Sequence, residues 1–444
     1  MLGLITFSLI LLTLLIGTWR RPAVGLAAVL CLYGLKQWGQ STTQFFSDHR
    51  EFANFAVFLI ALIGVLRAAQ KRSCIFCRMP PSAILVAVLY LYAFLTITWA
   101  PDPRTSLDQW IINGPYILTV TLLAPLLMND LNEARTAFIW TAAAGAVICT
   151  LALIFGKWGD RGLVLYGHEA LQDANNIYRY ETNPLALSGL AGTVFIIAAL
   201  SLGRPNHVFM RVFSAACIPI SLAVILRSGS RGQLIASGLA VVAALPVAFR
   251  LKEARSLAMF LLVGVVVLGL GWLSASFVDI NSSRWADTRA TQDVAGRFAM
   301  AQALLGASTA DLLTAVFGLG NSSAFQVVGI YPHITGLEVL AEEGFLGGAL
   351  YSTILFFALR SILRIAGQVD MDDLKRNALG ILSGLFVFEL ILSWKQGSLL
   401  FSVYVFAYAI TLARFEASAL ERPSEATTEA VARAELPRFQ NLLR

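Results

Sequence analysis

A chain of 444 residues that is 57% hydrophobic and only 14% charged reads as a membrane protein, because its apolar stretches recur at lengths that can cross a bilayer. The net charge of +6 is spread over short basic loops with no basic domain or recognition module, which excludes nucleic acid as the partner. Cys74 and Cys77 form an isolated Cys-x-x-Cys without two further ligands beside it, so no metal or redox site is expected there.

The N-terminal apolar run lacks a cleavage region of small residues leading into a mature domain, so it reads as a retained span. Spans are predicted over 2–18, 23–38, 52–67, 82–98, 111–128, 136–156, 186–203, 208–226, 233–250, 256–275, 337–359, 377–394 and 398–414. The first two are short and form either two spans or one irregular pair. The fold class is therefore an all-α polytopic membrane protein with about twelve to thirteen transmembrane helices and a large periplasmic loop containing short helices.

Basic residues set the orientation. Arg20 and Arg21, then Arg67, Lys71, Arg72 and Arg78, then Arg204 and Arg211, then Arg250, Lys252 and Arg255, and finally Arg360, Arg364, Lys375 and Arg376 occupy alternate loops. The positive-inside tendency assigns those loops to the cytoplasm. Segments 39–51, 99–110, 157–185, 227–232, 276–336 and 395–397 then face the other side, which in a bacterium is the periplasm. The chain divides into transmembrane helices over 1–275 that carry the loop 157–185, a large loop 276–336, transmembrane helices over 337–415 and a cytoplasmic tail 416–444.

Arg227 and Arg231 bracket Ser-Gly-Ser between two apolar runs. They sit on the face where orientation does not explain them, and the guanidinium fork suits phosphate oxygens. The loop 157–185 sets Arg161 and Arg179 among Trp158, Tyr166, Tyr178 and Tyr180, a mixture that fits either saccharide contact or an ordinary interfacial loop. In the large loop, Gly296-Arg297 precedes a helical stretch over 298–305, so Arg297 is expected near a helix N-terminus, where backbone donors would help it hold an anion. Gly318-Leu319-Gly320 reads as a flexible turn. Beyond it, Pro332 fixes the approach to the next span and His333 lies just outside it, the best general-base candidate because histidine titrates near neutrality. Glu338 and Glu342 share one helix face and either orient His333, bind sugar hydroxyls or complement the helix dipole, while Glu343 is expected to face elsewhere. Glu389, inside an apolar run, and Lys395 complete the unusual charges.

A cationic cluster, one histidine and two polar loops on one side fit glycosyl transfer from a lipid-linked diphosphate. The arginines would hold the diphosphate and stabilise the charge that grows on it as the C1–O bond breaks. His333 would deprotonate the acceptor hydroxyl, whose attack opposite the leaving group inverts the anomeric carbon. No metal or other cofactor is required if arginines supply the compensating charge.

Arg227-Ser-Gly-Ser-Arg231-Gly-Gln-Leu-Ile, Gly318-Leu-Gly320 and Pro332-His333-Ile-Thr-Gly-Leu-Glu338-Val-Leu-Ala-Glu-Glu-Gly344-Phe-Leu-Gly347 resemble the O-antigen ligase and O-antigen polymerase superfamily of bacterial envelope enzymes, over residues 180–410. The resemblance implies about twelve spans, a large periplasmic loop, an inner-membrane location and an undecaprenyl-diphosphate-linked glycan donor. It places Arg231, Arg297 and His333 at the family's catalytic positions, with Arg227, Arg161, Arg179, Glu338, Glu342 and Lys395 as substrate-binding candidates. Thr335 stands where ligases commonly carry Asn, Ser or Gln, and the spacing to Gly344 is one residue short of theirs. A polymerase acting on repeat units, with a chain-length regulator as a candidate partner, is therefore the leading reading. A ligase delivering finished glycan to lipid A-core, and a secondary transporter or flippase, remain the alternatives.

Overall fold

The computed structural model describes residues 2–71, 79–159, 162–168, 180–202, 208–249, 287–368 and 371–419. The expected span 256–275, the Cys74–Cys77 pair, Arg161, Arg179 and the tail beyond residue 419 lie outside the described residues. Ten described helices are long and apolar enough to cross a membrane, and the protein is an all-α polytopic membrane protein.

The first two apolar runs are separate helices, α1 (Leu2–Arg20) and α2 (Gly25–Thr42). Helix α2 is enclosed by α1, by α3 (Phe52–Lys71), by α6 (Leu131–Phe155) and by α7 (Pro184–Leu202). Between α3 and α6 run α4 (Pro81–Leu95) and α5 (Pro103–Tyr116). Residues 103–110, expected as loop, are helical. Asp102 caps them by accepting from the Arg104 and Thr105 amides, both at 3.1 Å, and Pro103 follows at the first helical position. Asp130 caps α6 in the same way, accepting from Asn132 at 2.9 Å and Glu133 at 3.0 Å.

Helices α8 (Val208–Arg227) and α9 (Arg231–Ala248) form a tight hairpin. The large loop contributes α10 (Asp287–Ser308), α11 (Leu312–Phe317) and α12 (Ala324–Val328). The single expected span over 337–359 is two helices, α13 (Thr335–Glu342) and α14 (Gly344–Ala366). The break falls at Gly344, whose φ of +67° suits glycine. A side chain there would also collide with the Val316 carbonyl and the Gly318 amide at 2.4 Å. Helix α15 (Asp373–Gln396) and a helix over residues 403–419, α16, complete the bundle.

Contacts gather the loops at two ends of the bundle. At one end the Tyr166 amide donates to the Gln40 carbonyl at 3.0 Å, Ser106 donates to the Asn321 carbonyl at 2.6 Å, and Thr335 donates to the Ser393 carbonyl at 2.9 Å. At the other, Lys71 donates to the Arg20 carbonyl at 3.0 Å, and Glu416 binds Arg360 at 3.3 Å, Arg364 at 3.0 Å and Ser361 at 2.6 Å, clamping α14 to α16.

The closest seam is between α9 and α15. One face of α9 carries Gly232, Ala236, Ala240, Ala244 and Ala248, one residue per turn and all buried. It meets Gly380 and Gly384 of α15. Small residues let helix backbones approach in a bilayer, where lipid is as apolar as leucine and packing alone must drive association. A Cβ on Gly380 would lie 2.4 Å from Ala248 Cβ and 2.7 Å from its Cα, so the helices must separate to admit one. Gly380→Ala is expected to destabilise the protein by about 1–3 kcal/mol. Thermal unfolding in detergent against the wild type, with Gly114→Ala, where a Cβ meets open space, as the control helix substitution, measures it.

Candidate functional site

The α8–α9 turn exists because Gly229 adopts φ +62°, which lets the chain reverse within a few residues while the Ser228 amide closes α8 on the Val224 carbonyl at 3.0 Å. The Ser188 hydroxyl donates to Ser230 at 3.0 Å and ties the turn to α7. Arg227, the last residue of α8, lays its guanidinium over the Trp158 ring, 5.4 Å from the centroid, and reaches the Gly159 carbonyl at 3.5 Å. This is its link to the loop 157–185.

Arg231 opens α9 and is half-buried. Beside it, Gly232 leaves room for Lys395, since a Cβ at Gly232 would lie only 1.8 Å from Lys395 Nζ. The ammonium from the last turn of α15 thus sits against the first turn of α9. Gln396 is held there too, accepting from Gln233 at 3.2 Å.

His333 has φ +62°, a strained conformation for a residue with a side chain. It is fixed by buried Pro332 on one side and by the Tyr331 ring, 4.2 Å away, on the other. Its Nδ1 is buried with no hydrogen-bond partner among the described residues. Burial first, and the positive charge of Arg297 second, lower the His333 pKa below its usual 6.5, so the ring is neutral at pH 7 and able to accept a proton. Arg297 is close enough to act on both His333 and Tyr331. It does so from the middle of α10, not from a helix N-terminus as expected, because the helix begins at Asp287. Backbone donors therefore play no part at Arg297.

Two residues beyond His333, Thr335 donates to the Ser393 carbonyl at 2.9 Å and shares a hydrogen bond with Ser402 at 2.8 Å. The same terminal stretch of α15 that holds Lys395 against Gly232 therefore also holds the base of the histidine loop. His333 with Arg297, through Thr335, and Arg231 with Lys395, through Gly232, are both tied to one helix end.

The carboxylates are placed differently from expectation. Glu342 is 1% exposed and spends both oxygens on the backbone, accepting from Ser322 at 2.7 Å and Ala324 at 2.9 Å. Glu338 accepts from the Ser398 hydroxyl at 2.7 Å and the Leu399 amide at 3.2 Å. Both brace loops, and both line a small pocket beside Tyr331. Glu343, expected to point away, is fully buried in the same cluster and accepts from Asn321 at 2.9 Å. The Gly318–Gly320 turn is fixed by amides donating from Leu319 and Gly320 to the Ala341 and Glu342 carbonyls, both at 2.9 Å, so it is a clasp on α13 and not a flexible hinge.

A cavity of about 490 Å³ adjoins these groups through their neighbours Tyr331 and Gln396, while His333, Arg297, Arg231 and Lys395 do not themselves line it. Tyr331 lines it on the histidine side and Gln396 on the Lys395 side, and it descends into the bundle past Lys36 to Glu389. Lys36 and the neighbouring polar residues of α2 were missed in the sequence, where they look like the end of an apolar span. No His, Cys, Asp or Glu grouping with the makings of a metal site occurs among the described residues. No protein-family model and no curated protein matches this chain.

Three buried carboxylates cannot all ionise side by side. Burial raises each pKa, and for Glu343 the charge of Glu342 adds to it. Glu342, with two backbone donors, is raised only to about 7. Glu338 and Glu343 are raised further, by burial and by the charge of Glu342, and each leaves its Oε2 without a hydrogen-bond partner among the described residues. Protons kept by the folded protein but released by the unfolded chain stabilise it below the ordinary 4.5, and that stabilisation is lost as pH rises through the raised range. Glu343→Gln, a neutral mimic, should therefore flatten the fall in melting temperature as pH rises above the ordinary 4.5. An unchanged slope would show that Glu343 is ionised throughout.

Proposed function

We propose that this protein transfers an undecaprenyl-diphosphate-linked glycan to an acceptor sugar hydroxyl at the periplasmic face of a bacterial inner membrane, and that it polymerises surface-polysaccharide repeats in the manner of the O-antigen ligase and polymerase superfamily. The observation that carries this reading is a neutral histidine under the influence of Arg297, and an arginine with Lys395 against its helix start, both tied to the α15 terminus and both next to residues that line one cavity. A base and an anion-holding group beside one cavity fit nucleophilic displacement of a diphosphate.

In that reaction the acceptor oxygen attacks C1 of the donor sugar and its proton passes to His333. The C1–O bond to the diphosphate breaks, and the leaving group departs with the bonding pair. Arg231 and Lys395 stabilise the charge it gains, taking the place a divalent cation has in other diphosphate chemistry. Arg297 has a second effect: by lowering the His333 pKa it keeps the ring unprotonated.

Purified protein with a synthetic lipid-linked donor should form glycosyl product. Arg231→Ala and His333→Ala should each lose about 100-fold or more in rate while retaining the wild-type melting temperature; full activity in both would refute the mechanism. In cells, deletion should leave single lipid-linked repeats. Accumulated full-length lipid-linked polymer would instead assign the protein to ligation onto lipid A-core.

The pH dependence has a defined sign. Because His333 titrates below 6.5, the wild-type rate should fall only as pH drops beneath that value. Arg297→Gln removes a repelling charge, raises the His333 pKa, and should move the acid limb of the profile upward.

A further inference from the structure

The cavity contains a set of groups that the transfer chemistry leaves unused. Tyr33 and Tyr116 stack at 5.5 Å, and Tyr404 meets Tyr33 edge-on at 6.2 Å, so three aromatic rings form one wall. Gln37 is 5% exposed; its amide nitrogen donates to the Asn183 carbonyl, and its Oε1 is left without a partner. Glu389 lines the deeper part and makes no hydrogen bond or ion pair among the described residues. Lys36 is already engaged, donating to Tyr116 at 3.2 Å and facing Glu51 at 3.7 Å.

These features exclude an acyl or prenyl chain as the occupant, since such a chain would leave a carboxylate and an amide oxygen unsatisfied in apolar surroundings. They also disfavour an anion, because the groups in need of a partner are acceptors. What they lack is hydroxyl donors presented on a flat ring. We propose that this cavity is the binding subsite for an uncharged, hydroxyl-rich sugar ring of the acceptor, with Glu389 and Gln37 Oε1 accepting its hydroxyls and the tyrosine wall packing on its C–H face. The assignment rests on the glycosyl-transfer reading for the word acceptor, though sugar occupancy of the cavity does not. Tyr331, which lines the cavity and packs on His333, sets this ring beside the base.

Gly189 offers a clean way to fill the space. It lines the cavity on α7, and a Cβ there meets nothing within 4 Å, so Gly189→Phe adds a ring without displacing protein atoms near the backbone.

The experiment uses full-length protein in nanodiscs. Binding of methyl glycosides of neutral hexoses and of N-acetylhexosamines is followed by saturation-transfer NMR, with undecaprenyl phosphate as the rival ligand, beside a transfer assay on lipid-linked donor. At least one glycoside should bind. Glu389→Gln and Gln37→Met should weaken it by about tenfold, Gly189→Phe should abolish it, and undecaprenyl phosphate should not displace it. In the transfer assay the same variants should raise the acceptor KM while the donor KM is unchanged.

Glycoside binding that is lost in these variants, in a protein that performs no transfer, would sustain the sugar subsite and overturn the reaction. Transfer with an unaltered acceptor KM in both Glu389→Gln and Gly189→Phe would sustain the reaction and overturn the subsite. Binding of no glycoside, or displacement by undecaprenyl phosphate, would overturn it as well. Melting temperatures guard the first comparison, and Gly189→Phe keeps the test decisive should Glu389→Gln fail to fold.

Discussion

Everything at the end of the bundle that carries Arg231 and His333 depends on how closely α9 and α15 approach. A row of one small residue per turn on α9 lies against Gly380 and Gly384, and the row ends at Gly232, where Lys395 occupies the space a side chain would fill. The seam is therefore both a packing device and a ruler. It sets how far the α15 terminus protrudes beside Arg231, and through Thr335 it sets where His333 stands. In a bilayer the hydrophobic effect cannot hold two helices together, so steric fit along such a row must supply the attraction and the register together.

The second constraint is the carboxylate cluster. Glu338, Glu342 and Glu343 grip Ser398 and Leu399, Ser322 and Ala324, and Asn321 respectively. They hold the segment after the large loop, the α12 turn and the α15–α16 connection as one unit. Asn321 extends it further, accepting from Trp110 at 3.1 Å and donating its amide to Thr96 at 2.9 Å. Amides and hydroxyls close this network, and no cation enters it among the described residues. That combination requires protons on some of the carboxyls, and it makes the platform beneath His333 a rigid one.

The helical architecture was legible because it follows from apolar length. Arg231 and His333 stand out in the sequence because an arginine between two apolar runs, and a histidine after proline at a helix entry, break local rules. The roles of Glu338 and Glu342 were not. A carboxylate near a helix start serves the dipole, a loop amide or a ligand equally well, and only the fold of the Gly318–Ala324 turn decides among them. Arg297 was placed at a helix start because apolar bias begins at Phe298, whereas the helix itself extends back through polar residues to Asp287. Lys36 and Gln37 were hidden for the opposite reason, as two polar residues inside an otherwise apolar helix. The row of glycine and alanine every fourth residue in α9 went unread, because small residues in an apolar run do not reveal which helix they face.

A polar cavity within a membrane bundle needs its walls to turn polar groups inward without leaving backbone groups bare. Helix α5 shows how this is achieved. Pro115 has no amide hydrogen to give the preceding turn, and the helix that follows widens to i→i+5 bonding over Ile117–Leu123. Thr119 donates its hydroxyl to the Pro115 carbonyl at 2.7 Å, adding a polar contact where the regular ladder is disturbed. The disturbance sits immediately after Asn113 and Tyr116, both of which line the cavity. Asn113 anchors its amide on the Gln109 carbonyl at 2.8 Å, and Tyr116 accepts from Lys36 and from Asn54 at 2.8 Å. The irregular turn thus lies where α5 passes from a helix that lines a polar space to one that packs against hydrocarbon, and the change of helical register is what lets one helix serve both surroundings.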